Sequence, residues 1–206
     1  MNAEICLEKL KEIGVLSFAT VDENNDPQIR NISAIHYDKD SFYFFTARGK
    51  EFCKQLLDNG KVQILGYSSL KEMIRVSGKA VPVSDDRQES CINQIFKEQP
   101  YLKNVYPDNT NKIGIIFEMT EFEIEYFNLG VKPIFRESYS VGGCSITSKG
   151  YRITDNCIGC NKCAENCPQH CIEVGNPYVI NYNHCLHCGA CYENCPVKAV
   201  VNFHDA

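Results

Sequence analysis

Between residues 157 and 195 one cysteine spacing occurs twice. Cys157, Cys160, Cys163 and Cys167 precede Pro168, and Cys185, Cys188, Cys191 and Cys195 precede Pro196, so each run reads C-x2-C-x2-C-x3-C-P. Two-residue gaps let three sulfurs on a tight loop point inward, with backbone amides near enough to hydrogen-bond them. The three-residue gap carries the fourth cysteine out of that loop, and the proline, with its fixed φ, directs the chain away. Soft thiolates at this density are metal ligands. Folding of such a segment is coupled to what the thiolates hold.

Nine of the thirteen cysteines fall in this block, leaving Cys6, Cys53, Cys91 and Cys144, which read as buried, inert thiols. The opening MNAEICLEKLKEIG carries Glu4, Glu8 and Glu12 and has no apolar core of export-signal length. Metal ligation in a reducing, cytoplasmic setting is therefore a better account of the block than disulfides. Structural zinc sites pair C-x2-C with a second, separated pair, which is a poorer match than three cysteines in seven residues followed by a fourth. No window approaches 18 consecutive apolar residues, so no membrane span is expected. The net charge of −5 and the lack of a basic run argue against nucleic acid as a partner.

At 206 residues the chain has room for two domains. Composition changes near residue 145, where Gly142, Gly143, Ser145, Ser148 and Gly150 form a polar, glycine-rich approach to the cysteine block. Before it the pattern is that of a sheet protein. A helix is expected over residues 2–13, with Ile5, Leu7 and Leu10 inward and Gly14 closing it. Strands are expected at 15–21, 28–37 and 41–47, the first two flanking the turn-forming DENNDP. A helix over 50–59 ends at Gly60. Strands follow at 61–67 and 72–83, with Gly78 a candidate bulge. A helix runs from 85 to 99, up to Pro100. A long strand pattern covers 112–127, where Ile113, Ile115 and Phe117, then Phe122, Ile124 and Tyr126, alternate with polar or small residues. Five or six antiparallel strands with few helices suggest a small barrel.

The doubled run resembles the bacterial-type ferredoxin signature, in which the fourth cysteine of each run ligates the other 4Fe-4S cluster. The resemblance spans about residues 150–206 and implies two clusters. One would be held by Cys157, Cys160, Cys163 and Cys195, the second by Cys185, Cys188, Cys191 and Cys167. Cys171 is a ninth thiol; the second run has Ala199 at that offset, so Cys171 reads as a packed small residue beside a cluster. His170, His184 and His187 flank the ligands and read as surface or neighbouring positions.

Four earlier stretches, Gly14–Thr20, Asp26–Ser33, Phe42–Lys50 and Ile74–Ala80, resemble the pyridoxamine 5′-phosphate oxidase-like, FMN-binding split barrel. The order helix, strand, turn, strand, turn, strand, helix is the same over about residues 1–130. The resemblance implies that Arg30 and Lys50 hold the FMN phosphate with help from Thr46. It further implies that the backbone of Asn31, Ile32 and Ser33 borders the isoalloxazine, with Ala47 near the ribityl chain. A helix N-terminus beside Thr46, Arg48 and Lys50 is physically suited to a phosphate. The family's flavin lies at a homodimer interface, so a dimer is implied. Its vitamin B6 oxidases carry substrate-binding residues in a C-terminal segment, where this chain has a ferredoxin, and that departure puts B6 oxidation in doubt.

The expected fold class is thus a mainly β split barrel, antiparallel with flanking helices, over residues 1–145, followed by a small α+β ferredoxin-like domain over 146–206. The expected function is an FMN- and iron-sulfur-dependent oxidoreductase, passing electrons between ferredoxin-type clusters and a flavin that reduces or oxidises a small organic substrate. An external electron donor or acceptor would serve it. The alternatives are an electron carrier or redox sensor binding FMN or a related cofactor such as haem or a deazaflavin, and a cofactor-free docking module. No acid–base pair is identified; His36 and Tyr37 read as packing residues.

Overall fold

The computed structural model describes residues 1–205. The chain divides into two compact units, one of Met1–Ser69, Met73–Glu125 and Tyr139–Ser145, the other of Leu70–Glu72, Tyr126–Ser138 and Ile146–Ala206.

The first unit opens with α1 (Ala3–Ile13). The Asn2 side chain caps it, accepting from the Ile5 amide at 2.8 Å, and Gly14 ends it at φ +76°. Its buried stripe is Cys6, Leu7 and Leu10, whereas Ile5 is 39% exposed. Residues 6, 7 and 10 share a face at helical spacing and residue 5 lies off it, which corrects the expected stripe.

The strands β1 (Leu16–Val21), β2 (Pro27–Ile32), β3 (Ile35–Tyr37) and β4 (Phe42–Ala47) lead to α2 (Glu51–Asn59). After it come β5 (Lys61–Tyr67), β6 (Glu72–Lys79), β7 (Val81–Pro82), α3 (Asp85–Glu98), α4 (Leu102–Val105), β8 (Gly114–Met119), β9 (Phe122–Asn128) and β10 (Phe135–Val141), with the end of β9 and the start of β10 counted in the second unit. They form a six-stranded sheet in the order β10-β9-β6-β5-β1-β2 and a four-stranded sheet in the order β3-β4-β8-β7.

Three expected strands are each broken in two. Residues 28–37 divide at Ser33–Ala34, where the Ile35 amide donates to the Ser33 carbonyl at 2.9 Å, so β2 and β3 lie in different sheets. The 112–127 pattern divides the same way into β8 and β9, and 72–83 into β6 and β7. Strand-forming residues run through each break, but β2 buries no full face, and between Met119 and Phe122 the apolar positions slip from odd to even, as a change of sheet requires. Gly78 is not a bulge. The β5–β6 ladder runs unbroken from Lys61↔Lys79 to Tyr67↔Met73, with Gly78 opposite Val62. A Cβ at Gly78 would lie 2.9 Å from the Glu121 carbonyl oxygen, so close approach of a neighbouring chain segment explains the glycine.

The core is aromatic. Phe18, Phe42, Phe44, Phe117 and Phe122 are almost wholly buried, with Phe18 edge-on to Phe44 at 5.0 Å and Phe42 edge-on to Phe122 at 5.4 Å. Truncating one such ring costs about 3–5 kcal/mol. Cys6 and Cys53 are buried, but Cys91 and Cys144 are only partly covered, a correction to the expected set.

In the second unit, β11 (Tyr151–Ile153) pairs antiparallel with β14 (Val200–Asn202), and β12 (Ile172–Glu173) with β13 (Val179–Ile180). Short helices α5 (Lys162–Glu165) and α6 (Ala190–Glu193) follow the third-cysteine loops. The sequence repeat is a backbone repeat. Asn161 and Gly189, at φ 65° and 82°, open the two helices; Gly159 and His187, and His170 and Lys198, are further equivalent pairs with positive φ. The Asn166 and Asn194 amides donate to the Lys162 and Ala190 carbonyls at 2.8 and 2.9 Å. Residues 134–136 belong to this unit: His184 Nδ1 meets the Ile134 carbonyl at 2.8 Å, and Asn183 donates to the Arg136 carbonyl at 3.1 Å.

Candidate cluster and flavin sites

Each cysteine loop bends back on itself through a left-handed residue, which turns the sulfurs toward a common space. Cys157, Cys160, Cys163 and Cys195 line one cavity, whose other walls include Ile153, Tyr178 and Val200. Cys167, Cys185, Cys188 and Cys191 line a second, walled also by Cys171, Ile172 and Ile180. Cys195 thus faces the cavity of the first run, and Cys167 that of the second. Among the described residues no three His, Cys, Asp or Glu side chains converge to hold a single ion. Four thiols spread around an apolar space instead fit a polynuclear cluster, which needs several thiolates at its corners.

The sulfurs already have amide donors. The Ala199 amide donates to Cys195 Sγ at 3.2 Å and the His187 amide to Cys185 Sγ at 3.4 Å. Burial raises the Cys195 pKa, but backbone hydrogen bonds from Val200 and its neighbours more than offset this and lower it overall. Cys185 is pulled down to about 6, first by the Cys171 thiol that donates to it. Cys191 is pushed up to about 11 by burial. Cys171 is itself held high, first by its bond to Cys185 and then by burial, and its Sγ lies 3.5 Å from Cys167 Sγ.

In the first unit, β2 is an edge strand and carries Arg30 inward across β1 to α2. Arg30 Nη1 donates to Thr20 Oγ1 at 2.6 Å and to the Phe18 carbonyl at 3.3 Å, and Nη2 donates to Gln55 Oε1 at 2.9 Å. Its guanidinium lies 4.6 Å above the Phe52 ring, at the first turn of α2. Lys50 is the exposed N-cap of that helix, and no side chain caps the turn. Arg30 over the first turn of α2 and Lys50 at its N-cap place two cations beside a helix start that no side chain caps, a combination that suits a phosphate. Thr46 is 2% exposed and pairs with Ile115, enclosed in β4; Ala47 is buried and pairs with Gly114. Asn31 is exposed and accepts from the Ser17 hydroxyl at 3.0 Å, Ile32 is half-buried, and Ser33 Oγ meets the Tyr101 hydroxyl at 2.5 Å.

Sequence reasoning missed Thr20 and Gln55, which hold Arg30 and each other; the Thr20 hydroxyl donates to Gln55 Oε1 at 2.5 Å. Both are 5% exposed. The available signal was Gln55 three residues after Phe52 and one before Leu56, a polar residue on the apolar stripe of α2. His36 Nδ1 meets both Glu98 carboxylate oxygens at 2.9 Å, and its ring stacks on Tyr43.

Fold and sites define a flavin-type split barrel joined to a ferredoxin-type domain. The chain belongs to the pyridoxamine 5′-phosphate oxidase family, whose model matches residues 4–123. A 4Fe-4S dicluster domain model matches residues 156–199.

Pyridoxine/pyridoxamine 5′-phosphate oxidases of Bradyrhizobium sp. and Photorhabdus laumondii are 28% and 33% identical over 83 and 82 residues. Those stretches are 40% and 39% of this chain but only 38% of either enzyme, so the chain spans under two fifths of the curated relatives it matches. A NimC/NimA family protein of Clostridium acetobutylicum is similar in structure, with a TM-score of 0.56 and 29% identity, over 66% of this chain and 90% of that one. A pyridoxamine 5′-phosphate oxidase-related, FMN-binding protein of Nostoc punctiforme shares the fold at a TM-score of 0.51 and 16% identity, over 67% and 93% of the two chains. Among the described residues no helix is long and apolar enough to cross a membrane.

Proposed function

We propose that this chain is an FMN- and iron-sulfur-dependent oxidoreductase that passes electrons between two 4Fe-4S clusters and a flavin acting on a small organic substrate. The single observation that carries the reading is the pair of cysteine-lined cavities in a chain whose other part belongs to a family with a flavin-type barrel. The clusters would exchange single electrons, and FMN would link that exchange to two-electron chemistry on the substrate.

The ligand sets are Cys157, Cys160, Cys163 and Cys195, and Cys185, Cys188, Cys191 and Cys167. Arg30 and Lys50, with Thr46, hold the flavin phosphate at the start of α2. Asn31, Ile32 and Ser33 border the ring and Ala47 the ribityl chain. Arg30 is oriented for this by Thr20 and Gln55, which take its inner donors and fix the guanidinium plane. The barrel domain is assigned to residues 1–145 and the cluster domain to 146–206, with a homodimer formed through the barrel. A doubled cysteine run of metal-ligand spacing supports a reducing, cytoplasmic setting.

Anaerobic purification with flavin and iron counted per chain, followed by a reductive titration watched by absorbance and paramagnetic resonance, tests the proposal. Flavin that is reduced through the clusters, with turnover of a quinone or nitro compound, is the expected result. Bound flavin without turnover would favour an electron carrier or sensor, and no flavin at all would favour a docking module.

A further inference from the structure

The two cavities differ in their number of thiols. The first has four thiols and the second has five, because Cys171 stands where the other run has Ala199. Cys171 is 5% exposed, and its Sγ lies 3.5 Å from Cys167 Sγ. The backbone sets this up: the His170 amide closes a turn onto the Cys167 carbonyl at 3.1 Å, His170 takes φ +49°, and the next residue returns beside the ligand sulfur. In the other run Lys198 takes φ +54° and the Ala199 amide reaches Cys195 Sγ at 3.2 Å, so this position adjoins the ligand in both halves. A small apolar residue suffices there for packing. A thiol adds a second soft donor within reach of the same corner.

We propose that Cys171 is a reserve ligand of the second cluster, able to replace Cys167. The proposal rests on the two-cluster reading. In the exchange the iron–Sγ bond of Cys167 breaks and an iron–Sγ bond to Cys171 forms. The Cys171 thiol proton passes to the departing Cys167 thiolate, so charge balances and no electron changes hands. The first cluster, with Ala199 in place of a fifth thiol, has no such reserve. Loss of one ligand is therefore tolerated in one half of the domain and not in the other.

Iron and acid-labile sulfide per chain, with paramagnetic resonance of the reduced protein, test this in the full-length chain under anaerobic conditions. Wild type holds about eight irons if two clusters are present. Cys171→Ala keeps about eight, since the resting set is intact, and Cys167→Ala also keeps about eight. The double variant Cys167→Ala/Cys171→Ala falls to about four, and so does Cys195→Ala alone. Adding Ala199→Cys to Cys195→Ala restores the lost irons, because it transplants the reserve position.

Equal iron in Cys167→Ala and the double variant, with the first cluster's signal intact in both, would overturn the proposal. So would loss of iron in Cys171→Ala, which would make it a resting ligand. If Cys167→Ala does not accumulate, failure of Ala199→Cys to rescue Cys195→Ala overturns the proposal by itself. A wild-type count of about four sinks the two-cluster reading instead, which keeps the two failures apart.

Discussion

The Arg30 guanidinium lies over the Phe52 ring, its Cζ 4.6 Å from the centroid. Phe52 sits in the first turn of α2, whose N-cap is Lys50, so this one contact joins the edge strand β2 to the proposed phosphate seat. Arg30 has several donors in a fixed fork, which lysine cannot reproduce. A charge-assisted hydrogen bond contributes about 1.5–3 kcal/mol, so Arg30→Lys should weaken FMN binding by roughly ten- to a hundredfold. Flavin fluorescence quenching on titration with the variant measures this. Unchanged affinity would remove Arg30 from the phosphate site.

Gln55 accepts from both Arg30 and Thr20 at a site that is 5% exposed. Gln55→Leu leaves the Thr20 hydroxyl and the Arg30 Nη2 without that acceptor, and each buried unsatisfied group costs about 1–3 kcal/mol. A drop in melting temperature of several degrees is expected, together with weaker flavin binding, because Arg30 loses the partner that orients it. A variant that melts lower yet binds flavin as wild type does would show Gln55 to be structural alone.

Cys195 lines the cavity of the first cysteine run although it ends the second. Cys157→Ala and Cys195→Ala should therefore abolish the same paramagnetic signal, and Cys185→Ala should abolish the other. Clusters built from contiguous runs would give the opposite pairing, with Cys195 grouped with Cys185.

Much of this was legible from residue types alone, and the division follows physical range. The cysteine sets are local: spacing within seven residues fixes three sulfurs per loop, and the proline fixes the exit of the fourth. Arg30 and Lys50 stood out through the family pattern. What escaped notice depends on contacts distant in sequence. The change of sheet at Ser33–Ala34 carries no glycine or proline to mark it, whereas between Met119 and Phe122 the apolar positions slip from odd to even, a local signal that the sequence did carry. The Gln55 role requires β1, β2 and α2 to meet. The Cys171–Cys167 contact requires the tight turn at His170, whose positive φ is uncommon for any residue but glycine.

Gly78 separates two explanations of a glycine inside a strand. A bulge would tolerate alanine, whereas an added Cβ here would meet Met119 Cε, Phe122 Cβ and the Glu121 carbonyl oxygen, all at 2.9 Å. Two of these are backbone or near-backbone atoms of the β8–β9 connection and give way only if that connection moves. Overpacking of this kind costs about 1–3 kcal/mol, so Gly78→Ala should lower the denaturant midpoint with an unchanged slope. An unchanged midpoint would mean that the connection is free to yield.

Glu98 pairs with His36 at 2.9 Å and accepts from Gln94 at 2.7 Å. Partial burial pushes its carboxyl pKa up, but the hydrogen bonds from His36 and Gln94 outweigh this and hold it below its ordinary value of 4.5. A folded value below the unfolded one means that the unfolded chain binds the proton more readily. The pair's stabilisation is therefore complete above 4.5 and is lost as pH falls through the lower folded value. Solvent reaches the pair, so its contribution is on the order of 0.2–1 kcal/mol. Glu98→Gln removes the titration. The gap in melting temperature between wild type and Glu98→Gln should be present near neutrality and close as the pH drops below about 4.5. A gap that stays constant down to acid would mean that the Glu98 carboxylate contributes packing and no charge.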